Sequence, residues 1–171
     1  DSSEQFFYIF IISLIVIFLV LSAQFESFLY PLVIMLSVPL SFSGGLLGLW
    51  IADSSINIFS QIGMIILIGI SAKNGILIVE FANQLRNQGK NINEAIKESC
   101  HRRFRPIIMT GISTMIGSLP LIIGSGAGSE SRLTIGIVIF SGLLFSLILT
   151  LTLTPFFYKT IAPFVKNKVN I

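Results

Sequence analysis

"NIFSQIGMIILIGISAKNGILIVEFANQL", residues 57–85, is apolar along most of its length yet carries a lysine, an asparagine and a glutamate. As a helix rising about 1.5 Å per residue it would reach about 43 Å, more than a hydrocarbon core of about 30 Å requires. A bilayer-crossing helix with its far end projecting into water fits that length. The whole chain has the same character, with 53% hydrophobic and only 11% charged residues. Soluble domains carry about a quarter charged residues. The sequence therefore describes an integral membrane protein.

Outward from this stretch, four more apolar blocks are long enough to cross a bilayer, at about 6–23, 31–52, 106–123 and 133–158. Together the five predict an all-α, polytopic helical bundle forming a single transmembrane domain over residues 1–171. Pro39 lies inside the second span, where neighbouring helices can re-satisfy a freed carbonyl. Gly44 and Gly48 form a small-xxx-small pair, which lets another helix approach closely. Between spans three and four, Ile92, Ile96, Cys100 and Phe104 recur every four residues among charges. That pattern predicts a short amphipathic helix on the membrane surface within segment 86–105, and Pro106 is placed to start the fourth span. "GSGAGSES", residues 124–131, reads as a flexible loop. The chain opens Asp1-Ser2-Ser3-Glu4 and runs directly into a span, unlike a secretory signal. This start reads as a cut inside a longer chain or a processed end.

Loop charges set the expected orientation. Segment 86–105 holds Arg86, Lys90, Lys97, Arg102, Arg103 and Arg105, and the C-terminal tail from 159 holds Lys159, Lys166 and Lys168. The opposite side has only Arg132. The N-terminus is expected outside and the C-terminus in the cytoplasm. The basic excess follows topology, so nucleic acid is not an expected partner; the lipid bilayer is. Cys100 is the single cysteine and His101 the single histidine, too few for a metal site or a histidine-based nucleophilic centre. The glycine-rich loop lacks the strand and the Gly-Lys-Ser/Thr that a phosphate-binding loop needs. An enzyme is not expected, and no cofactor.

Lys73 is the only basic residue within a span, about 5 Å from the centre of its helix. A central lysine costs about 2.5–3.5 kcal/mol on the mildest insertion scale. The polar interface is roughly 10 Å away and a lysine stem covers only about 6 Å, which argues against snorkelling. Two readings remain: a charged lysine with a partner, or a neutral, desolvated one. Glu80, the only carboxylate in a span, shares a face with Lys73 but lies about 10.5 Å further along the axis. It can be hydrated or pair with Arg86, and no other acid in this chain reaches Lys73. Thr110 sits at a depth similar to Lys73 in the fourth span; it is either a relay hydroxyl or a threonine bonded to its own helix backbone. Arg102, Arg103 and Arg105 read most simply as a positive anchor.

"SAKNGILIVEFANQL" at 71–85 and "RRFRPIIMTGISTMIGSLPLIIGSGAGSESR" at 102–132 resemble the resistance–nodulation–division (RND) efflux permeases, specifically their hydrophobe/amphiphile branch. "FLVLSAQFESFLYPLVIMLSVPLSFSGGLLGLWI" at 18–51 resembles that family's eighth and ninth helices, so the five spans would be helices 8–12 of twelve. The resemblance implies a proton-driven homotrimer in the bacterial inner membrane, exporting drugs and other amphiphiles with a periplasmic adaptor and an outer-membrane channel. It implies a proton relay in which Lys73 answers two aspartates on the fourth helix, joined by Thr110, Arg103 and the motif asparagine, Asn74. The energy source would be the proton-motive force. This chain has no intramembrane aspartate and no porter domain, so first-half helices bearing the aspartate pair become expected partners. A non-transporting remnant of a split gene, or a related branch exporting lipid or protein, is the alternative.

Overall fold

A computed structural model of the chain describes residues 2–164, so Lys166 and Lys168 lie outside the described residues. Six α-helices follow in order: α1 Ser2–Phe25, α2 Leu29–Met35, α3 Ser37–Ile51, α4 Ile58–Asn87, α5 Ile92–Ile123 and α6 Ser129–Ile161. A 3-10 turn, Ala162–Phe164, closes the described chain, and there is no strand among the described residues. With α2 and α3 taken as one interrupted span, five helical segments are long and apolar enough to cross a membrane.

The second span breaks at Leu36 rather than running through. Pro39 has no N–H to give the Met35 carbonyl four residues back, and its ring crowds that carbonyl. At the same break Ser37 donates its hydroxyl to Ile34 O at 2.6 Å.

α4 starts at a capping box. Ser60 N–H donates to Asn57 Oδ1 and Asn57 N–H donates to Ser60 Oγ, both at 2.9 Å, so two otherwise orphaned donors are satisfied. It ends at Gly89, whose φ of 90° favours a residue without Cβ. α5 then differs from the sequence expectation. It begins at Ile92 and continues unbroken through Pro106, so the charged segment 92–105 is continuous with the fourth span and not a separate helix. The cause is packing against α4. Ala95, Ile96 and Ser99 are buried, and Ser99 Oγ donates to Ile78 O at 2.7 Å, anchoring the part of α5 that precedes the proline. α6 likewise extends past the expected 133–158 and takes Lys159 into its last turn.

α6 occupies the middle, lying along α3, α4 and α5, whereas α1 packs mainly on α2 and α4, meets α3 through Phe10 and Phe42, and stays open on most of its surface. The Gly44/Gly48 pair meets α6: Gly44 lies against Phe145 and Gly48 against Ser141. Ile34, Leu67, Ile78, Ile107 and Leu143 form the fully buried centre.

Candidate functional site

Lys73 stands midway along α4, exposed on the outside of the five-span body. It makes no ion pair with any described residue. Neighbouring positions of the same helix turn the other way. Ser71, Asn74, Gly75, Ile78 and Ala82 are buried and form the face that packs inward. Successive residues differ by about 100° around a helix, so the adjacent Lys73 and Asn74 straddle the edge between open and packed faces.

Two contacts bracket the antiparallel register of α4 and α5: the Ser99–Ile78 bond, and the Arg103 guanidinium 4.7 Å from the Phe81 ring centroid. Carried along the pair residue for residue, the first sets Lys73 opposite Phe104 and the second sets it opposite Gly111, so Lys73 faces the stretch 104–111 of α5. Thr110 is also exposed, and its hydroxyl donates to Ile107 O at 3.1 Å, a bond to its own helix. Lys73 and Thr110 are exposed on adjacent helices, with no direct bond between them. Arg103 reaches toward Phe81, which lies eight residues below Lys73, about 12 Å along the axis. Its Nε is buried and has no hydrogen-bond partner among the described residues.

Asn74 is 3% exposed, and its Nδ2 likewise has no partner among the described residues. α4 and α6 run parallel with a constant offset. Ser146 Oγ donates to Ser71 Oγ at 3.1 Å, and Tyr158 OH donates to Asn83 Oδ1 at 2.6 Å. The same offset puts Asn74 beside the turn holding Thr150, whose buried hydroxyl is also unpartnered among the described residues. Asn74 therefore belongs to the α4–α6 seam, not to the open face that carries Lys73.

Glu80 is half-buried and makes no ion pair with a described residue. Arg86 turns inward, 7% exposed, and donates to Tyr30 OH at 2.7 Å. His101 is exposed on α5 and belongs to no potential metal cluster among the described residues. Outside the apolar part of α5, Glu98 bridges Lys90 and Arg102. The hydrogen bond from Lys90, reinforced by the charges of both cations, holds its carboxyl below the usual glutamate range.

Two polar clusters carry no sequence motif. Ser37, Ser41, Ser71 and Ser146 gather their side chains where α3, α4 and α6 cross, with Ser41 and Ser71 hydroxyls 2.5 Å apart. At the basic end, Tyr30 and Tyr158 stack with centroids 5.7 Å apart, between Arg86 and Asn83. The i, i+4 pair Ser37/Ser41 was the one local signal available for the first cluster. For the second there was none, because its members lie 56 and 75 residues apart.

The family model described as the AcrB/AcrD/AcrF family matches residues 1–162. An uncharacterized transporter of Haemophilus influenzae (strain ATCC 51907 / DSM 11121 / KW20 / Rd) is 45% identical over 160 residues, covering 90% of this chain. The chain spans 16% of that relative's length. A transporter's helical membrane architecture, a lysine motif in its third span and a match over nearly the whole chain agree, and the chain belongs to the AcrB/AcrD/AcrF family of RND permeases.

Proposed function

We propose that this chain supplies membrane helices to a proton-driven efflux permease for drugs or other amphiphiles, with Lys73 as its element of the proton relay. The observation that carries the reading is a lysine in the middle of a membrane helix, exposed on the open side of α4 and unpaired among the described residues. An intramembrane cation is expensive unless something answers it. In the proposed assembly the answer comes from an aspartate pair on first-half helices packed against this face. Ionised aspartates hold Lys73; protonation releases it, and the change in attraction shifts the two halves relative to each other. Thr110, exposed on the neighbouring helix α5, offers its hydroxyl to the same partner surface. Asn74 and Arg103 act through position, Asn74 from the α4–α6 seam and Arg103 from above Phe81.

The same proposal puts the chain in the bacterial inner membrane with its basic end in the cytoplasm. It assembles as a homotrimer and works with a periplasmic adaptor and an outer-membrane channel. The test is Lys73→Met in the full-length permease, reading proton-driven efflux of an amphiphilic dye and, separately, trimer yield. Efflux should fall at least tenfold while trimers still form. Undiminished efflux would remove Lys73 from the relay.

A further inference from the structure

A groove of about 450 Å³ runs between α5 and α6 at the basic end of the bundle, away from the face that carries Lys73 and Thr110. Its walls change character in the same direction on both helices. On α5, Lys97 comes first, and the groove wall continues inward with Cys100 about one turn further along. On α6, Lys159 stands at the mouth, and Pro155 and Leu151 follow one and two turns deeper. Each helix therefore offers a cation at the outer level and apolar surface beneath it.

The two lysines are available. Both are exposed, and neither makes an ion pair with a described residue. No acid among the described residues lines the groove itself. On the adjoining surface, which Lys97 and Cys100 also border, Glu98 is already engaged by Lys90 and Arg102, and Glu94 lies with His101 and Arg105. Positive charge thus dominates the groove mouth. A volume of this size takes a small-molecule headgroup and the first methylenes of its chains. Basic pockets between membrane helices at the interface are the usual sites for anionic headgroups.

We propose that the α5–α6 groove binds an anionic diacyl phospholipid, its phosphate between Lys97 and Lys159 and its chains over Cys100, Pro155 and Leu151. The site is independent of the transport reading, because it requires only that α5 and α6 cross a bilayer. It would hold one lipid through membrane movements of the helices, and it fixes the depth at which their basic ends sit.

Cys100, the chain's single cysteine, lies in the groove wall and reports occupancy. The experiment reconstitutes the full permease chain into phosphatidylcholine vesicles with or without phosphatidylglycerol, and reads Cys100 alkylation by peptide mass spectrometry. Phosphatidylglycerol should slow alkylation several-fold in the wild type. Lys97→Gln with Lys159→Gln should weaken the lipid's half-effect concentration by roughly fivefold per lysine, and Lys97→Arg with Lys159→Arg should retain protection. Equal protection by phosphatidylcholine alone, or protection unaffected by the glutamine pair, would overturn the proposal. So would equal protection by soluble glycerophosphate, which would assign the site to a free phosphate group.

Discussion

Replacing Gly48 with alanine tests how closely α3 and α6 are packed. An ideal Cβ at Gly48 would fall 2.0 Å from Ser141 Oγ and 2.4 Å from Ser141 Cβ. Favourable carbon contacts begin at about 3.5 Å, so the helices must separate by more than about 1 Å or Ser141 must be displaced. Ser141 has little freedom to yield, since its hydroxyl is bonded to Ile137 O at 2.7 Å and its Cβ is fixed by the backbone. Overpacking of this kind costs about 1–3 kcal/mol. Alanine also gains up to about 1 kcal/mol of helix propensity over glycine, and that gain must be cancelled before the packing cost is read. Gly117→Ala on α5 serves as the reference, because an added Cβ there meets nothing within 4 Å. The chain in detergent micelles, unfolded by denaturant and followed by helical circular dichroism, should be about 1–3 kcal/mol less stable with Gly48→Ala than with Gly117→Ala. Adding Ser141→Gly should recover much of that difference as a positive coupling in the double-mutant cycle. Equal stability of the two alanine variants would refute the close α3–α6 approach.

Asn74→Leu should leave this chain as stable or raise it by about 1–3 kcal/mol, because a buried donor without a partner is removed; a loss beyond about 1 kcal/mol in the same unfolding assay would mean the amide is bonded. Tyr30→Phe keeps the ring stack on Tyr158 but removes the acceptor for Arg86, and should cost on the order of 1–2 kcal/mol by that assay. No change would mean the bond between α2 and α4 contributes nothing. Glu98 has a folded-state carboxyl held below its ordinary value of 4.5, so its pairing stabilises the start of α5 above that pH and is lost as pH falls through the lowered value. Amide-exchange protection over residues 94–102 should therefore decline on acidification below about 4.5 in the wild type, and Glu98→Gln should flatten that dependence.

The number of spans and the mid-helix position of Lys73 were legible because both depend only on the lengths of the apolar blocks. Gly44 and Gly48 announced a close helix approach, but not which helix would make it. α3 meets α6 across nearly a hundred residues of chain, and apolar membrane helices carry little periodicity to say which face turns inward. For the same reason the serine cluster joining Ser37, Ser41, Ser71 and Ser146 could not be assembled from the sequence. Pro106 misled in a specific way. A proline at the edge of a charged segment is a good helix start in isolation, but the packing of Ala95, Ile96 and Ser99 on α4 carries the helix straight through it. Arg86 went the other way. Local spacing allowed it to pair with Glu80 or left Glu80 hydrated, and its guanidinium instead donates to the Tyr30 hydroxyl on another helix.

The placement of these polar contacts bears on where movement can occur. α4 is tied to α3 and α6 through Ser71, to α6 again through Asn83 and Tyr158, and to α2 through Arg86 and Tyr30. All of these lie on its packed side, above and below the level of Lys73. Sliding or rotating α4 within the bundle would break several buried bonds together, whereas the open face around Lys73 has no such ties among the described residues. Under the proposed relay, the free energy released when the lysine gains or loses its partner would therefore move the five-span body as a unit against the helices it faces. The Lys73–Asn74 dipeptide makes that division compact: one residue faces the moving boundary, and the next is built into the seam that keeps the body rigid.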